Sequence, residues 1–130
     1  MSKKVRDEHQ EQVRFVSAVR CFYPQVLIFA VPNGGKRDPK EAKRLVDEGV
    51  KAGVSDLFVA EAREGYNGLF IEMKRSKGGK VSEKQENFME AATARGYKCI
   101  VSYGAEEAFR DLQYYIGVSD NDRVKYPGEK

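Results

Sequence analysis

The segment Leu69-Phe70-Ile71-Glu72-Met73-Lys74 constrains the fold more than any other stretch of the chain. Side chains alternate faces along an extended strand, so Leu69, Ile71 and Met73 project to one side while Glu72 and Lys74 project to the other. An apolar face that ends in an acid and a base belongs in a sheet with that apolar face buried. The preceding run, Asp56 to Ala60, is joined to it by a polar loop containing Gly65, Asn67 and Gly68, the composition of an antiparallel hairpin. This hairpin is the predicted centre of the sheet. It brings the start of the first strand near the end of the second, so Asp56 is expected beside Glu72.

Around the hairpin, periodicity and caps place the other elements. Residues 7 to 23 read as an amphipathic helix, with Phe15, Val16, Val19 and Phe22 at helical spacing and Pro24 stopping it. Val26 to Val31 is a strand leading into the turn-forming Pro32-Asn33-Gly34-Gly35. Asp38 before Pro39 starts a helix, with the carboxylate as cap and Pro at the first helical position, and it runs to about Glu48 before Gly49. Ser82 with Gln85 three residues later resembles a capping box, opening a helix through Phe88, Met89 and Ala92 that ends at Gly96. Lys98 to Tyr103 is a further strand and Ala105 to Ile116 the last helix. The order is α-β-α-β-β-α-β-α with no internal repeat. A chain of 130 residues suffices for one hydrophobic core and not two. The expectation is a single α/β domain over 1–116, followed by a loose polar tail over 117–130.

Several function classes drop out on composition. The net charge of +3 is too mild for a protein that coats nucleic acid by bulk charge, so any phosphate affinity must come from local patches. Two such runs exist: Lys36, Arg37, Lys40, Lys43, Arg44 and Lys51, then Lys74, Arg75, Lys77, Lys80 and Lys84. A solvated face is the plain alternative for either. Cys21 and Cys99 lack metal-ligand spacing, and no secretory leader is visible, which points to a reduced, cytoplasmic protein. The longest apolar run, Val26 to Val31, is too short to span a bilayer. With one histidine, His9 on the polar side of its helix, and two distant cysteines, neither a zinc set nor a nucleophilic triad can be assembled.

What remains is the hairpin's charged end. Two carboxylates converging there form a site for a hard divalent cation such as Mg²⁺, to which the Met73 backbone carbonyl can add an oxygen. Phosphodiester hydrolysis needs an activated water and charge neutralisation at phosphorus, and such a cation supplies both. Lys74 then either orients or deprotonates the water, or holds a non-bridging oxygen. A Glu-x-Lys triplet is weak by itself, since Glu41-Ala42-Lys43 repeats it inside a solvated helix. Its weight here comes from placement, and a structural ion pair is the competing reading. Projected at about 100° per residue, Glu8 falls at the middle of the first helix's apolar face and Glu11 toward its margin. An acid so aimed needs a metal or a partner, unless the first turn simply leaves it in water. Gln85 lies on the stripe with Phe88, Met89 and Ala92, which aims it inward, although capping alone explains it equally well. The Asn33 to Arg37 loop combines flexible amides, two cations and a following helix N-terminus, so it is either an anion cradle or a plain turn.

Five stretches in order resemble the VRR-NUC nucleases, a branch of the PD-(D/E)XK superfamily, in the short stand-alone form found in bacteriophages and prophages. They are Glu8-His9-Gln10-Glu11-Gln12-Val13, Pro32-Asn33-Gly34-Gly35-Lys36-Arg37, Gly49 to Leu57, Gly68 to Lys74, and Lys80-Val81-Ser82-Glu83-Lys84-Gln85. The resemblance implies a restriction-endonuclease-like core, a central mixed β-sheet flanked by helices. In it Glu8, Asp56 and Glu72 surround a Mg²⁺ or Mn²⁺ ion, Lys74 is catalytic and Gln85 supports the site. Asn33, Lys36 and Arg37, with Arg75 and Lys77, are the expected DNA contacts. Ser55 departs from the family, which usually has Pro before the aspartate; this should alter the turn rather than the chemistry. Stand-alone members are similar to Holliday junction resolvases and tend to be homodimers, which suits a four-way junction needing two paired incisions. The implied activity is hydrolysis of branched DNA to leave a 5′-phosphate. A nucleic-acid-binding module that keeps the fold without catalysis is the alternative, and it would be marked by gaps in the acidic set. Glu8, Asp56, Glu72 and Lys74 are all present.

Overall fold

A computed structural model of the chain describes residues 5–32 and 38–128. Helix α1, Glu8–Phe22, opens on a capping box in which Asp7 Oδ1 accepts the Gln10 N–H at 2.7 Å and Gln10 Oε1 accepts the Asp7 N–H at 3.0 Å. Helix α2, Pro39–Asp47, is capped by the Asp38 carboxylate on the Glu41 N–H at 3.0 Å, and none of its residues is buried. Helix α3, Glu83–Ala94, carries the Ser82/Gln85 capping box expected for it, and helix α4, Ala105–Tyr115, follows the last strand. The starts of α1, α2 and α3 thus follow local chemistry, because a side-chain oxygen one residue outside each helix satisfies an otherwise orphaned amide.

Strands β1, Ile28–Ala30, β2, Leu57–Val59, β3, Leu69–Lys74, and β4, Lys98–Tyr103, form one mixed sheet in the order β1-β2-β3-β4. β1 and β3 both run antiparallel to β2, while β4 runs parallel to β3. A parallel neighbour requires a crossover, and α3 supplies it. β1 and β2 are shorter than the runs Val26–Val31 and Asp56–Ala60 suggest. Backbone pairing still extends past them, from the Val31 N–H to the Asp56 carbonyl at 2.8 Å and from the Ala60 N–H to the Leu27 carbonyl at 2.9 Å.

The hairpin is central and its faces divide by parity. Leu57, Val59, Leu69, Ile71 and Met73 are fully buried on one face, against Phe15, Ala18 and Val19 of α1 and Ala108, Phe109 and Leu112 of α4. On the other face the rings of Phe58 and Phe70 lie 4.6 Å apart and Phe70 meets Phe88 of α3 at 5.0 Å. Helices therefore flank both faces. No helix among the described residues is long and apolar enough to cross a membrane.

The segment after Gly117 departs from the expectation of a loose tail. Over 118–128 it carries no helix or strand, yet Val124 and Tyr126 pack back onto the domain. Tyr126 is buried in the core cluster, its ring 5.9 Å from that of Phe109 and under the Arg14 guanidinium at 4.8 Å. The Gln113 side chain accepts the Val124 N–H at 2.8 Å and donates to the Val124 carbonyl at 3.0 Å, and the Tyr23 hydroxyl donates to the same Gln113 oxygen at 2.6 Å. A polar stretch without periodicity can still be anchored when one buried amide side chain takes the place of a strand partner.

Candidate active site

Strand register does most of the positioning. Leu57 pairs with Ile71, so the next step places Asp56 across from Glu72, on the face turned away from α1 and α4. Asp56 Oδ2 accepts the Met73 N–H at 2.8 Å, which ties the carboxylate to β3. Lys74, two residues beyond Glu72, shares its face, with Nζ 3.8 Å from Glu72 Oε2. That ammonium donates to Gln85 Oε1 at 3.0 Å, while Gln85 Nε2 donates to Glu72 Oε2 at 3.1 Å. Gln85 Oε1 also accepts the Ser82 N–H at 2.8 Å. Capping and inward aim were competing explanations for Gln85 in the sequence, and one side-chain position satisfies both. The first turn of α3 is thereby bolted to the acid and the base of β3.

The site is dry at its base. Glu72 is 1% exposed and Lys74 5%, and Glu72 Oε1 is buried without a hydrogen-bond partner among the described residues. Burial pushes the Glu72 carboxyl up to about 8; Asp56, within hydrogen-bonding reach of the protonated form and repelling the ionised one, adds to this, Lys74 opposes it, and Glu8 adds a further push. Glu72 therefore keeps its proton at neutral pH, because a second unneutralised negative charge this close to Asp56 in a low-dielectric pocket is repelled. A cation can take the place of that proton.

Among the described residues, no group of three or more His, Cys, Asp and Glu side chains is gathered into a ready-made metal cage. The donor set nonetheless fits a hard divalent ion: two carboxylates, one with an unpartnered buried oxygen, with a third acid electrostatically close. That third acid is Glu8, exposed in the first turn of α1. The helical projection places Glu8 at the middle of the apolar face and Glu11 at its margin, but burial is the reverse. Glu11 is 3% exposed, paired with Arg14 at 2.9 Å and facing the Ala105 N–H at 3.5 Å, because the start of α4 covers it. The sequence carries no local signal for this, since the cover comes from α4. Arg75 and Lys77 are exposed in the loop after β3, with an Arg75 Nη donating to the Gly78 carbonyl at 3.2 Å. Asn33, Lys36 and Arg37 lie outside the described residues.

Ser55 is fully buried and its hydroxyl has no partner among the described residues. An unsatisfied buried hydroxyl is unfavourable, so Ser55→Ala is expected to leave stability unchanged or raise it by up to about 1 kcal/mol in a thermal melt. A marked loss would show that the hydroxyl is bonded in solution.

A mixed four-stranded sheet flanked by helices, with two acids and a lysine gathered on its central hairpin, defines an α/β nuclease-type domain. The family model of the VRR-NUC domain matches residues 6–106. The chain belongs to the VRR-NUC family. Among solved structures, one described as a VRR-NUC domain protein superposes with a TM-score of 0.71 at 28% identity, covering 90% of this chain and 93% of the other. Comparison with curated proteins gives no match.

Proposed function

We propose that the protein is a metal-dependent DNA endonuclease that hydrolyses phosphodiester bonds, with Asp56, Glu72, Lys74 and Gln85 as its working residues and branched DNA as its substrate. The observation that carries the proposal is the buried Glu72, with an unpartnered oxygen among the described residues, between the half-buried Asp56 and a buried lysine. A carboxylate pair that is strained with only protons for company has a reason to exist if it binds Mg²⁺ or Mn²⁺. Asp56 and Glu72 would hold the ion, Glu8 would complete the acidic set, and the Met73 carbonyl is a further oxygen donor. Bound there, a divalent ion supplies charge neutralisation at the phosphate and a lowered pKa for water.

The chain's own residues do the rest. Lys74 presents a fixed ammonium toward the phosphate position, where it stabilises developing negative charge or aligns the attacking water. Gln85 holds Lys74 and Glu72 at a set separation by bonding to both. Arg75 and Lys77, and the Asn33 to Arg37 loop, are the candidate phosphate contacts that align the duplex arms. The branched-DNA preference and the pairing of two copies rest on the resemblance to stand-alone junction-cleaving relatives, since one chain offers one site and a four-way junction needs two incisions.

The test compares supercoiled plasmid with a synthetic four-way junction across Mg²⁺, Mn²⁺ and Ca²⁺. Wild-type protein should cut the junction with Mg²⁺ or Mn²⁺, and Lys74→Ala should lower the rate by about 10²–10³-fold. Binding without cleavage in every metal would instead identify a nucleic-acid-binding module. Sedimentation at working concentration should give twice the chain mass. Two further variants separate the roles. Glu8→Gln is expected to raise the Mg²⁺ concentration needed for half-maximal rate, whereas Gln85→Ala, removing a residue that orients the ligand and the base, should reduce rate or metal affinity by about 10–100-fold. Unaltered metal dependence in Glu8→Gln would remove that residue from the ligand set.

A further inference from the structure

Glu11, Arg14 and the C-terminal segment form a contact chain that leads to the end of β3, and nothing in the proposed chemistry uses it. Glu11 is a nearly fully buried acid whose Oε1 is 2.9 Å from Arg14 and 3.5 Å from the Ala105 N–H at the start of α4. No side chain caps α4 from the residue before it, which is Gly104. Glu106 and Glu107 in the first turn of α4 supply negative charge of its own, and the Glu11 carboxylate from α1 adds an acceptor facing the Ala105 N–H. Gly104 has φ +95°, and a Cβ there would sit 3.1 Å from Glu11 Oε2 and 3.4 Å from Ser76 Cβ. The glycine lets α1, the start of α4 and the residues just after β3 meet at one point. Its buried N–H donates to the Lys74 carbonyl at 2.9 Å. Arg14, the partner of Glu11, lies over the ring of Tyr126, which falls outside the matched family region 6–106.

We infer that Glu11 is a positioning residue for Lys74, acting through Gly104, and that Tyr126 of the C-terminal segment holds Arg14 in place to support it. The inference rests on Lys74 being catalytic as proposed above. Lys74 touches Glu72 and Gln85 through its side chain and Gly104 through its backbone. The side-chain contacts orient the ammonium, and the backbone contact sets where β3 ends. Without the Glu11 carboxylate, the Ala105 N–H loses its acceptor from α1, and the bond from Gly104 to Lys74 loses the anchor behind it.

The decisive experiment uses full-length Glu11→Gln and Tyr126→Leu with two readouts. In the first, cleavage at saturating Mg²⁺ and DNA is normalised to the binding-competent fraction found by stoichiometric DNA titration in Ca²⁺. Glu11→Gln should lower kcat by about 10–100-fold with KM for DNA unchanged, as a displaced catalytic group does. Tyr126→Leu should shift kcat in the same direction by about threefold, since it keeps the apolar packing and loses the cation–π contact. In the second, hydrogen exchange at the Gly104 amide should quicken about tenfold in Glu11→Gln while the Leu112 amide in the middle of α4 is unaffected. A uniform rise in exchange, or a kcat loss that vanishes on normalisation, would mean that Glu11 only stabilises the domain and would overturn the inference. A wild-type rate in Tyr126→Leu would remove the C-terminal segment from it. Should the wild-type protein cut no DNA, the functional proposal fails by itself, and the exchange measurement still decides whether Glu11 secures Gly104.

Discussion

Replacing Glu72 by glutamine should abolish cleavage and at the same time raise the melting temperature of the metal-free protein. The side chain keeps its shape, and the new amide can still accept the Gln85 Nε2 hydrogen bond now made to Glu72 Oε2 at 3.1 Å. It removes the charge that burial and the Asp56 carboxylate oppose. Because the Glu72 carboxyl is pushed up to about 8 from an ordinary 4.5, the folded protein binds a proton that the unfolded chain has already released over that interval. The folded state holds that advantage in full below about pH 4.5 and loses it as the pH rises through about 8. Glutamine stays neutral throughout. Its advantage over wild type should therefore be small at pH 5 and grow toward pH 9, reaching on the order of 4 kcal/mol. In a domain of this size that corresponds to a rise in Tm of roughly 10 °C or more. Mg²⁺ should reverse the order, because only the carboxylate gains from the ion. Thermal melts of both proteins at three pH values, with and without Mg²⁺, measure each part. A glutamine variant that melts below wild type at pH 8 without metal would show that the acid pair is not strained.

Gly53→Ala should be the most damaging single methyl group that the domain can acquire near the site. A Cβ at Gly53 would lie 2.4 Å from the carbonyl oxygen of Lys84 and 2.6 Å from its carbon, and φ there is +92°. Both obstacles are backbone, so no side-chain rotation relieves them. Lys84 lies in the first turn of α3, one residue before Gln85, and Gly53 lies three residues before Asp56. The substitution must therefore either move the first turn of α3 away from the hairpin or strain the approach to Asp56. Overpacking combined with an unfavourable backbone conformation is expected to reduce stability by about 3–5 kcal/mol. The corresponding fall in Tm is roughly 10 °C or more. Any folded fraction should have lost the Gln85 contacts and cut DNA slowly even below its melting temperature. A melt within about 2 °C of wild type would show that the two segments do not meet this closely in solution.

The elements and the hairpin were legible in the sequence because their causes are local. Alternation along Leu69–Lys74 fixes which face holds Glu72 and Lys74, and the caps Asp38 and Ser82 announce their helices by single hydrogen bonds to nearby amides. The approach of Asp56 to Glu72 was legible too, since antiparallel register carries it. Three features were not. The helical wheel ranks Glu8 above Glu11 as the inward acid, and it cannot know that the start of α4, more than ninety residues later, covers one turn of α1 and not the other. The polar C-terminal segment has no periodicity to read, and Gln113 and Arg14 hold it from elsewhere. The contact between Gly53 and Lys84 joins a turn to the start of a helix thirty-one residues later, and neither local sequence says that the two meet.

By itself the sequence determined the residue types of the site, the strand that carries two of them and the side of the sheet they occupy, because period-two alternation and capping act within a few bonds. Tertiary structure alone decided which acid of α1 is left open to Glu72, that Gln85 both caps its helix and bridges Glu72 to Lys74, and that Glu72 is driven toward neutrality. Those outcomes depend on burial and on charges brought together from distant segments, and desolvation has no value until the fold has excluded the water.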